Sequence, residues 1–312
     1  MIVVGSVMVD LVTYCDLLPG RGETVTGTAF EIGCGGKGAN QAVIAQRLGA
    51  DVTFLARVGQ DNFGEMSLAN LWAQGVDPGL VKSVEGVATG VAPIWVTPDG
   101  SNRIIVVPGA NQTMSGEVVR SELAELSRSD VLVCQLELPN DAVAAALAVG
   151  ASAGAITLLN PAPARRDAIP MFSAADWVVP NEHEFEMLWG AAPTDNELRA
   201  AAAKWNCGLI VTLGQEGAAA TNGEEVIRLR PPLANVVDTT GAGDAFVGGL
   251  AYALGFGLSL RSAIELGNVC GSLSTEVRGS QCSFPNRQQV ELALRDPGDR
   301  SSARPTEISS GF

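Results

Sequence analysis

Short apolar runs rich in β-branched residues alternate with stretches of helical length over most of the chain. This alternation is typical of a mostly parallel sheet covered by helices, and it predicts an α/β fold in three layers. Strands are predicted at residues 2–9, 52–58, 131–136, 156–160, 177–180 and 209–213. Helices between them are predicted to begin near Gly38, Gly64, Gly116, Asn140, Glu182 and Glu197. After Asp244 the pattern becomes mainly helical, through about Ala251, Leu266 and Val290.

Two regions interrupt this alternation with apolar residues at every second position. They cover residues 24–32 and 90–107, and a Pro-Asp-Gly turn at 98–100 divides the second of them. We expect a small separate sheet, inserted into the larger domain and drawn from about residues 11–35 and 88–109. Because a sheet of so few strands leaves an apolar face to cover, it is expected to form a lid over a site or to meet a partner subunit's lid.

Two other segments bear on the domain organisation. Residues 142–159 are 18 positions without a charge, but they are mostly small residues, and we interpret them as a buried helix that leads into a strand rather than as a membrane span. Residues 295–312 are polar, rich in Ser, Pro and Gly and without periodicity, which predicts a disordered tail. One α/β domain over residues 1–294 is expected.

The composition indicates a globular protein and makes polyanionic partners unfavourable. Hydrophobic residues make up 46% of the 312 positions and charged residues 17%, a balance typical of a globular chain. With 34 acidic against 20 basic residues the formal charge is −14, so nucleic acid and anionic membranes are unfavourable partners. A small phosphate ligand remains compatible with this charge because helix N-termini bind anions through backbone amides.

The cysteines and the histidine exclude some chemistry. The six cysteines form no CxxC pair, which favours a reduced, cytoplasmic protein. His183 is the only histidine, which leaves no cluster for zinc and argues against a Ser-His-Asp mechanism. The N-terminal residues include no basic leader, and Asp10 interrupts the apolar run, so no export signal is expected.

The most informative segment for chemistry is VDTTGAGDAFVGGL, at residues 237–250. It places Gly241, Ala242 and Gly243 at a predicted helix N-terminus, where small side chains expose the backbone amides and form an anion site. Asp244 falls in the first helical turn, where a carboxylate could simply cap the helix. A carboxylate beside an anion site is also what proton removal from an attacking hydroxyl requires.

A second glycine-rich segment, GCGGKGANQA, covers residues 33–42. It is not a phosphate-binding Walker loop, since Lys37 is followed by glycine, and it does not follow the first strand as a dinucleotide fingerprint would. One interpretation is a glycine-rich turn with a solvated lysine. The functional alternative is that bare backbone at Gly35 and Gly36 lets a polyhydroxylated ligand approach, with Asn40 as donor and acceptor.

Five motifs together resemble the ribokinase-like (PfkB) carbohydrate kinase family. They are GGKGANQA (35–42), NPAPA (160–164), PNEHE (180–184), TLGQEG (212–217) and DTTGAGD (238–244), and the resemblance runs from about residue 2 to about 290. It implies the three-layer fold of that family with a small β lid. Cys34 stands where an aromatic or apolar residue would be equally plausible, and the C-terminal tail has no counterpart.

The resemblance implies a sugar site and a catalytic group. Asp10 matches a carboxylate that accepts hydrogen bonds from vicinal hydroxyls, although it could also cap a turn. Glu137 matches an acidic residue near the other end of the sugar, although it could be a solvated strand end. Gly36 and Asn40 match sugar contacts, and Lys37 adds positive charge. Asp244 matches the general base, and the amides of Gly241, Ala242 and Gly243 match the anion hole.

The resemblance also implies cofactors. Asn181 and Glu184 match residues that organise the phosphates and Mg²⁺, partly through water. The ATP itself is expected beside Thr212, Gly214, Gly217, Gly243 and Asn268, of which Asn268 could instead only satisfy its neighbours. A K⁺ ion beside the anion hole is expected at Asp238, Thr240, Ser274, Val277, Gly279 and Ser283, mostly through backbone carbonyls.

The activity implied by the resemblance is phosphorylation of D-ribose by ATP at the 5-hydroxyl, in a homodimer that pairs through the β lids. Deoxyribose, another sugar and a nucleoside remain alternative acceptors, because the motifs do not determine the stereochemistry of the substrate. A sugar sensor without turnover is a further alternative. Retention of both Asp244 and the Gly-Ala-Gly segment argues against a sensor, since binding alone requires neither.

Overall fold

The structure, a computed structural model, describes residues 1–124 and 131–295, and these residues form two β-sheets and nine α-helices. The strands are β1 (Ile2–Val4), β2 (Met8–Tyr14), β3 (Ala29–Gly35), β4 (Thr53–Gly59), β5 (Val81–Val84), β6 (Gly90–Val96), β7 (Asn102–Ile104), β8 (Val131–Gln135), β9 (Ile156–Asn160), β10 (Trp177–Val178), β11 (Gly208–Thr212), β12 (Ala218–Thr221) and β13 (Val226–Leu229). The helices are α1 (Lys37–Leu48), α2 (Asn62–Ala73), α3 (Gly116–Glu122), α4 (Asn140–Ser152), α5 (Glu182–Trp189), α6 (Asp195–Trp205), α7 (Ala242–Gly255), α8 (Leu260–Ser274) and α9 (Arg287–Arg295).

The larger sheet carries the fold. Its strand order is β13-β12-β11-β10-β9-β8-β1-β4-β5, and the pairs from β11 to β5 are all parallel. Only β12 and β13, at one edge, run antiparallel. Parallel strands are buried on both faces, which explains why their sequences are continuous apolar runs rather than alternating ones.

Helices cover both faces of this sheet. Val3 packs into a core cluster with residues of α1, α7 and α8, whereas Ile2 and Val4 pack into a second cluster with residues of α4 and α6. Successive side chains of β1 therefore enter opposite cores, as the twofold period of a strand requires. The predicted three-layer α/β fold is confirmed.

The smaller sheet stands apart from the larger one. Its order is β3-β2-β6-β7, with β2 antiparallel to β3 and parallel to β6. The predicted Pro-Asp-Gly turn lies between β6 and β7. The strand predicted at 24–32 is instead β3, which begins at Ala29 and continues to Gly35.

The prediction of one first strand over residues 2–9 is wrong. The strand stops at Val4, and Met8 begins β2 of the small sheet. The cause lies at Gly5, where a Cβ would collide with the Gln135 side chain and with the backbone of Gly38. The chain leaves the large sheet there because the N-terminus of α1 packs directly on it. Asp10 consequently lies within β2 rather than at the end of the first strand.

Three strands escaped prediction, namely β5, β12 and β13. β12 consists of three alanines and a threonine, which carry little strand signal, and it is a strand because it pairs with β11.

The predicted helices α1 to α9 and the helix-to-strand interpretation of residues 142–159 are confirmed. In the described part of the chain, none of the helices has the length and apolar character needed to cross a bilayer. Residues 296–312 of the predicted tail lie outside the described residues.

Candidate active site

The N-terminus of α7 is built as an anion site. Gly241 precedes the helix at φ 78°, a conformation that favours glycine, and no side chain caps the first turn. The Ala242 amide donates to the Thr239 carbonyl at 3.2 Å, whereas the amides of Gly241, Gly243 and Asp244 have no partner among the described residues. A Cβ built at Gly243 would meet nothing within 4 Å, so the space beside this turn is open.

Asp244 does not cap the helix. Its side chain is only 7% exposed, and each carboxylate oxygen accepts from one carboxamide of α1. The Nδ2 of Asn40 donates to Oδ2 at 2.9 Å, and the Nε2 of Gln41 donates to Oδ1 at 2.9 Å. An ionised carboxylate has further lone pairs on both oxygens, so it remains able to accept a proton from a ligand hydroxyl.

Further carboxamides stand behind Asn40 and Gln41. Gln135 donates to the Oε1 of Gln41 at 2.6 Å, and Gln281 donates to the Oδ1 of Asn40 at 3.0 Å. Asn70 in turn donates to the Oε1 of Gln281 at 2.7 Å. Sequence reasoning missed Gln41, Gln135, Gln281 and Asn70. The available signal was Gln135, a polar residue inside an otherwise apolar buried strand.

The glycines before α1 serve the protein's own packing. A Cβ at Gly35 would lie 2.5 Å from an Asp10 carboxylate oxygen, and one at Gly36, which has φ 91°, would lie 2.7 Å from the backbone nitrogen of Met8. The absence of a side chain lets the Asp10 carboxylate and β2 approach the start of α1. The expected approach of a ligand to this bare backbone stays a prediction.

Glu137 is not a solvated strand end. Its Oε2 accepts from the Lys37 amide at 2.9 Å and from the Ser6 hydroxyl, so it neutralises the positive N-terminus of α1. Both hydrogen bonds use Oε2, which leaves Oε1 to accept from a ligand hydroxyl.

Several carboxylates share this pocket with one ammonium group. Burial, together with the charges of Glu137 and Asp244, raises the pKa of Asp10 to about 6. Burial alone would lower the pKa of Lys37, but Asp244, Glu137, Glu184 and Asp10 outweigh it and raise that pKa. Among the described residues the Lys37 ammonium forms no ion pair within 4.0 Å. It is thus a charged group surrounded by acids without a direct partner.

A cavity of about 590 Å³ opens on the other side of the α7 N-terminus. It is lined by all five residues predicted to surround the nucleotide: Thr212, Gly214, Gly217, Gly243 and Asn268. Gly217 has φ 84°, and a Cβ there would collide with the Leu229 carbonyl. The Asn268 side chain donates to the same Leu229 carbonyl at 2.9 Å. It therefore both satisfies a neighbouring backbone group and lines the cavity.

Asn181 and Glu184 do not line this cavity. They form a capping box at α5, in which the Asn181 side chain accepts from the Glu184 amide and the Glu184 side chain accepts from the Asn181 amide, both at 2.8 Å. Asn181 also bridges to Thr212, which puts the box at the edge of the cavity. Burial raises the pKa of Glu184, although the Asn181 amide and Lys37 oppose this.

Asp238 ties the turn before α7 to the chain after α8. Its Oδ1 accepts from the Thr240 amide and hydroxyl, and its Oδ2 accepts from the Gly279 amide at 2.8 Å. Burial alone would raise the pKa of Asp238, but these donors hold it below its usual value. Ser274, at the end of α8, and Ser283, in the chain after it, are both buried. Their hydroxyls donate to the Gly271 and Ser280 carbonyls, respectively. Val277 lies exposed in that loop.

The Asp238 carboxylate and the hydroxyl and carbonyl groups of this region are oxygen ligands of the kind that a hard cation prefers. Within residues 1–124 and 131–295, no three His, Cys, Asp or Glu side chains are grouped so as to hold a metal ion.

Comparison with known proteins shows the family of the chain. The sequence matches the pfkB family carbohydrate kinase profile over residues 1–287. It is 38% identical over 298 residues to a deoxyribokinase of Salmonella typhi, covering 94% of this chain and 97% of that protein. It is 39% identical over 303 residues to a ribokinase of Mus musculus, covering 94% of each.

The structure resembles the ribokinase of Arabidopsis thaliana solved with ribose and ATP, at a TM-score of 0.84 and 30% identity, covering 94% of this chain and 98% of that one. With a family match over nearly its whole length and relatives of this identity, the chain belongs to the pfkB family of carbohydrate kinases.

Proposed function

We propose that the chain transfers the terminal phosphoryl group of ATP to the 5-hydroxyl of D-ribose, which yields D-ribose 5-phosphate. The observation that carries this is the place of Asp244. Its carboxylate lies in the first turn of α7, next in sequence to Gly243, which lines the cavity, and close enough to Asp10 to raise the pKa of that carboxyl. A relative with ribose and ATP bound together supports the same pair of ligands.

In this mechanism Asp244 accepts the proton of the sugar hydroxyl as that oxygen attacks the terminal phosphorus in line. The amides of Gly241 and Gly243 face the charge that develops on the phosphoryl oxygens. Lys37 lies in the same pocket without an ion pair, and its ammonium stabilises the transferring group. Catalysis is then mostly positioning and electrostatic stabilisation.

The sugar is held from the opposite side. Asp10 and the Oε1 of Glu137 accept hydrogen bonds from its hydroxyls. Asn40 has one N–H left after donating to Asp244, and this N–H is the group it offers to the sugar.

Two ions belong to this proposal. Bound Mg²⁺ would neutralise phosphate charge, held beside the Asn181 and Glu184 capping box mainly through water. Bound K⁺ would stabilise the turn before α7 from the loop of Asp238, Thr240 and Gly279, without contact to substrate.

2-Deoxy-D-ribose is the second candidate acceptor, favoured by the similarity to a deoxyribokinase. ADP release should be measured with ribose, deoxyribose, hexoses and nucleosides, each with and without K⁺. We expect the highest kcat/KM with ribose and stimulation by K⁺. A higher value with deoxyribose would reassign the substrate, and sugar binding without ADP release would indicate the non-catalytic sensor.

A cytoplasmic location stays a prediction.

Replacement of the proposed base gives the first test. Asp244→Asn is expected to lower kcat by about 10² to 10⁴, the usual contribution of a general base. Sugar and nucleotide binding, measured by calorimetry, should persist. The NH₂ group of the new asparagine would face an N–H donor from Asn40 or Gln41. Asp244→Ala should therefore be measured beside it. Near wild-type turnover in either variant would contradict the role of Asp244.

We also propose that the small sheet pairs with its copy in a homodimer. Exposed apolar side chains are concentrated there, at Phe30, Ile32, Ile104, Ile105 and Val106. A few-stranded sheet with an uncovered apolar face is unstable in water, and a second copy offers a matching surface.

A further inference from the structure

We propose that two chains of carboxamides act as positioning residues for Asp244. The first, the short arm, runs from Gln135 to Gln41, and the second, the long arm, runs from Asn70 through Gln281 to Asn40. Both arms end on the Asp244 carboxylate. This inference rests on the proposed role of Asp244 as the base, and it concerns side chains that would touch neither substrate nor nucleotide, apart from Asn40.

Every carboxamide in the two arms points the same way. A carboxylate only accepts hydrogen bonds, so Asn40 and Gln41 must turn their NH₂ groups toward Asp244. Their carbonyl oxygens then face outward and require donors, which Gln281 and Gln135 supply at 3.0 and 2.6 Å. The orientation set by one carboxylate therefore propagates outward along both arms.

Gln41 is the most restrained member. Its Nε2 donates to Asp244 and also, at 3.1 Å, to the Oδ1 of Asn160. Its Oε1 accepts from Gln135. Both N–H groups donate and the oxygen accepts from Gln135, so turning the carboxamide over would break all three hydrogen bonds. The side chain is therefore held in one orientation, and it positions the Oδ1 of Asp244.

The outer end of the short arm shows that the inner end sets the orientation. Gln135 is fully buried, and its Oε1 finds no partner in the described part of the chain. Turning the carboxamide over would instead place its oxygen against the oxygen of Gln41. A set of core amides that only satisfied one another would not leave a buried carbonyl unpaired. The unpaired oxygen of Gln135 costs free energy, and this cost is tolerated because the observed orientation lets the Gln135 N–H donate to Gln41.

Held in this way, Asp244 needs no reorganisation when the hydroxyl arrives. Both of its oxygens stay fixed with one acceptor direction open toward the pocket. A base misplaced by about 1 Å loses on the order of 10²-fold in rate, which sets the scale of the effect.

The test reverses the polarity of the short arm in the full-length protein. In Gln135→Glu the introduced carboxyl donates to Gln41 when protonated and only accepts when ionised. We expect kcat close to wild type at about pH 5.5 and a fall of about 10-fold or more toward about pH 9, with a new inflection absent from the wild type. The neighbouring ionisable groups Asp10, Glu137, Glu184, Asp244 and Lys37 are present in both proteins, so the difference between the two profiles isolates the new group.

Two other variants complete the comparison. Gln135→Leu, of similar size, is expected to lower kcat about 10-fold at every pH with KM changed less than about twofold, because it removes the donor and also the unpaired oxygen. Gln74→Glu is the control, since Gln74 contacts Arg47 and not the arms. Its pH profile should match the wild type.

A folded Gln135→Glu protein, judged by circular dichroism and thermal unfolding at both pH limits, whose kcat profile runs parallel to wild type would overturn the inference. If this variant does not fold, Asn70→Asp makes the same test from the outer end of the long arm, with an inflection of the same sign. A crystal structure of Gln135→Leu adds a readout independent of turnover: the Gln41 carboxamide should be rotated or divided between two orientations, and an unmoved Gln41 would also overturn the inference.

The outcomes separate the two proposals. Turnover retained in Asp244→Asn would show that Asp244 is not the base, whatever Gln41 does in the crystal. Turnover lost in Asp244→Asn but unaffected in every Gln135 variant would leave the base assigned and the arms without a positioning role.

Discussion

At the scale of single residues, the site is built at the expense of stability. Burial, and then the charges of Glu137 and Asp244, raise the pKa of Asp10 to about 6, against 3.8 for a free side chain. Such a carboxyl binds a proton more readily in the folded protein than in the unfolded one. The free energy of unfolding therefore falls as the pH rises from about 4 to about 6, and it stays at the lower value above that range.

Asp10→Asn should separate stability from sugar binding. At about pH 8 we expect the variant to be more stable than the wild type, by an amount on the order of 3 kcal/mol. The gain should shrink as the pH falls from about 6 to about 4, because the wild-type carboxyl then becomes neutral. Denaturant unfolding at several pH values measures this, with exposed Asp51→Asn as the control.

The same Asp10→Asn variant should lose sugar affinity at every pH, and wild-type affinity should weaken as the pH falls below about 6. Unchanged sugar KM, or a stability gain that does not depend on pH, would contradict the role given to Asp10.

At the scale of one element, α7 uses its glycines for two different purposes. Gly248 lies against α1, where a Cβ would collide with Ile44, so this glycine lets two helices pack closely. Gly243, in the first turn of the same helix, has open space where a Cβ would stand. Packing does not require glycine there, whereas the proposed phosphate site would need the space.

Gly243→Ala should therefore reduce function without reducing stability. The methyl group favours the helix by up to about 1 kcal/mol. It would also fill the space proposed for the phosphates, so kcat/KM for ATP should fall by at least about 10-fold. Gly248→Ala provides the contrast, with a lower melting temperature. Wild-type kinetics in Gly243→Ala would mean that no phosphate lies beside this turn.

The loop after α8 gives a second prediction at this scale. Asp238→Ala removes the acceptor for the Thr240 and Gly279 donors and the one carboxylate of the proposed K⁺ site. We expect kcat lower by about 10- to 100-fold and little response to K⁺. Titration of wild type and variant with KCl, at ionic strength held constant with choline chloride, measures both. Equal fold stimulation of the two proteins would place K⁺ elsewhere.

At the scale of the whole molecule, the proposed dimer depends on the small sheet. Phe30 and Ile32 are 59% and 50% exposed on one face of β3, and the pairing places Leu11 beside Ile32. Phe30→Glu should convert the proposed dimer to a monomer, because it buries a charge in the apolar contact between copies. Light scattering measures the mass.

Trp72→Glu is the matched control for this change. Trp72 is 71% exposed on α2, outside the small sheet, and its replacement should leave the mass unchanged. A wild-type protein that is monomeric at assay concentration would contradict the pairing.

The sequence by itself determined the class of fold and the position of the reactive turn. Strands buried on two faces are read from runs of apolar residues, and α7 is read from a glycine segment followed by a helical run, because these features depend on neighbours along the chain. The same local signal placed Asp244 in the first turn, and the motif resemblance selected five residues, as neighbours of the expected nucleotide, that line one cavity.

Only the tertiary structure decided how those pieces meet. The break at Gly5, the Asp10 carboxylate beside Gly35 and the strand β12 all depend on contacts with distant segments. The carboxamide arms do so most clearly, since Gln41 bonds to residues 94 and 203 positions away. The role of a buried side-chain amide can be inferred only from its hydrogen-bond partners. Partners so far apart in the sequence are brought together only when the chain folds.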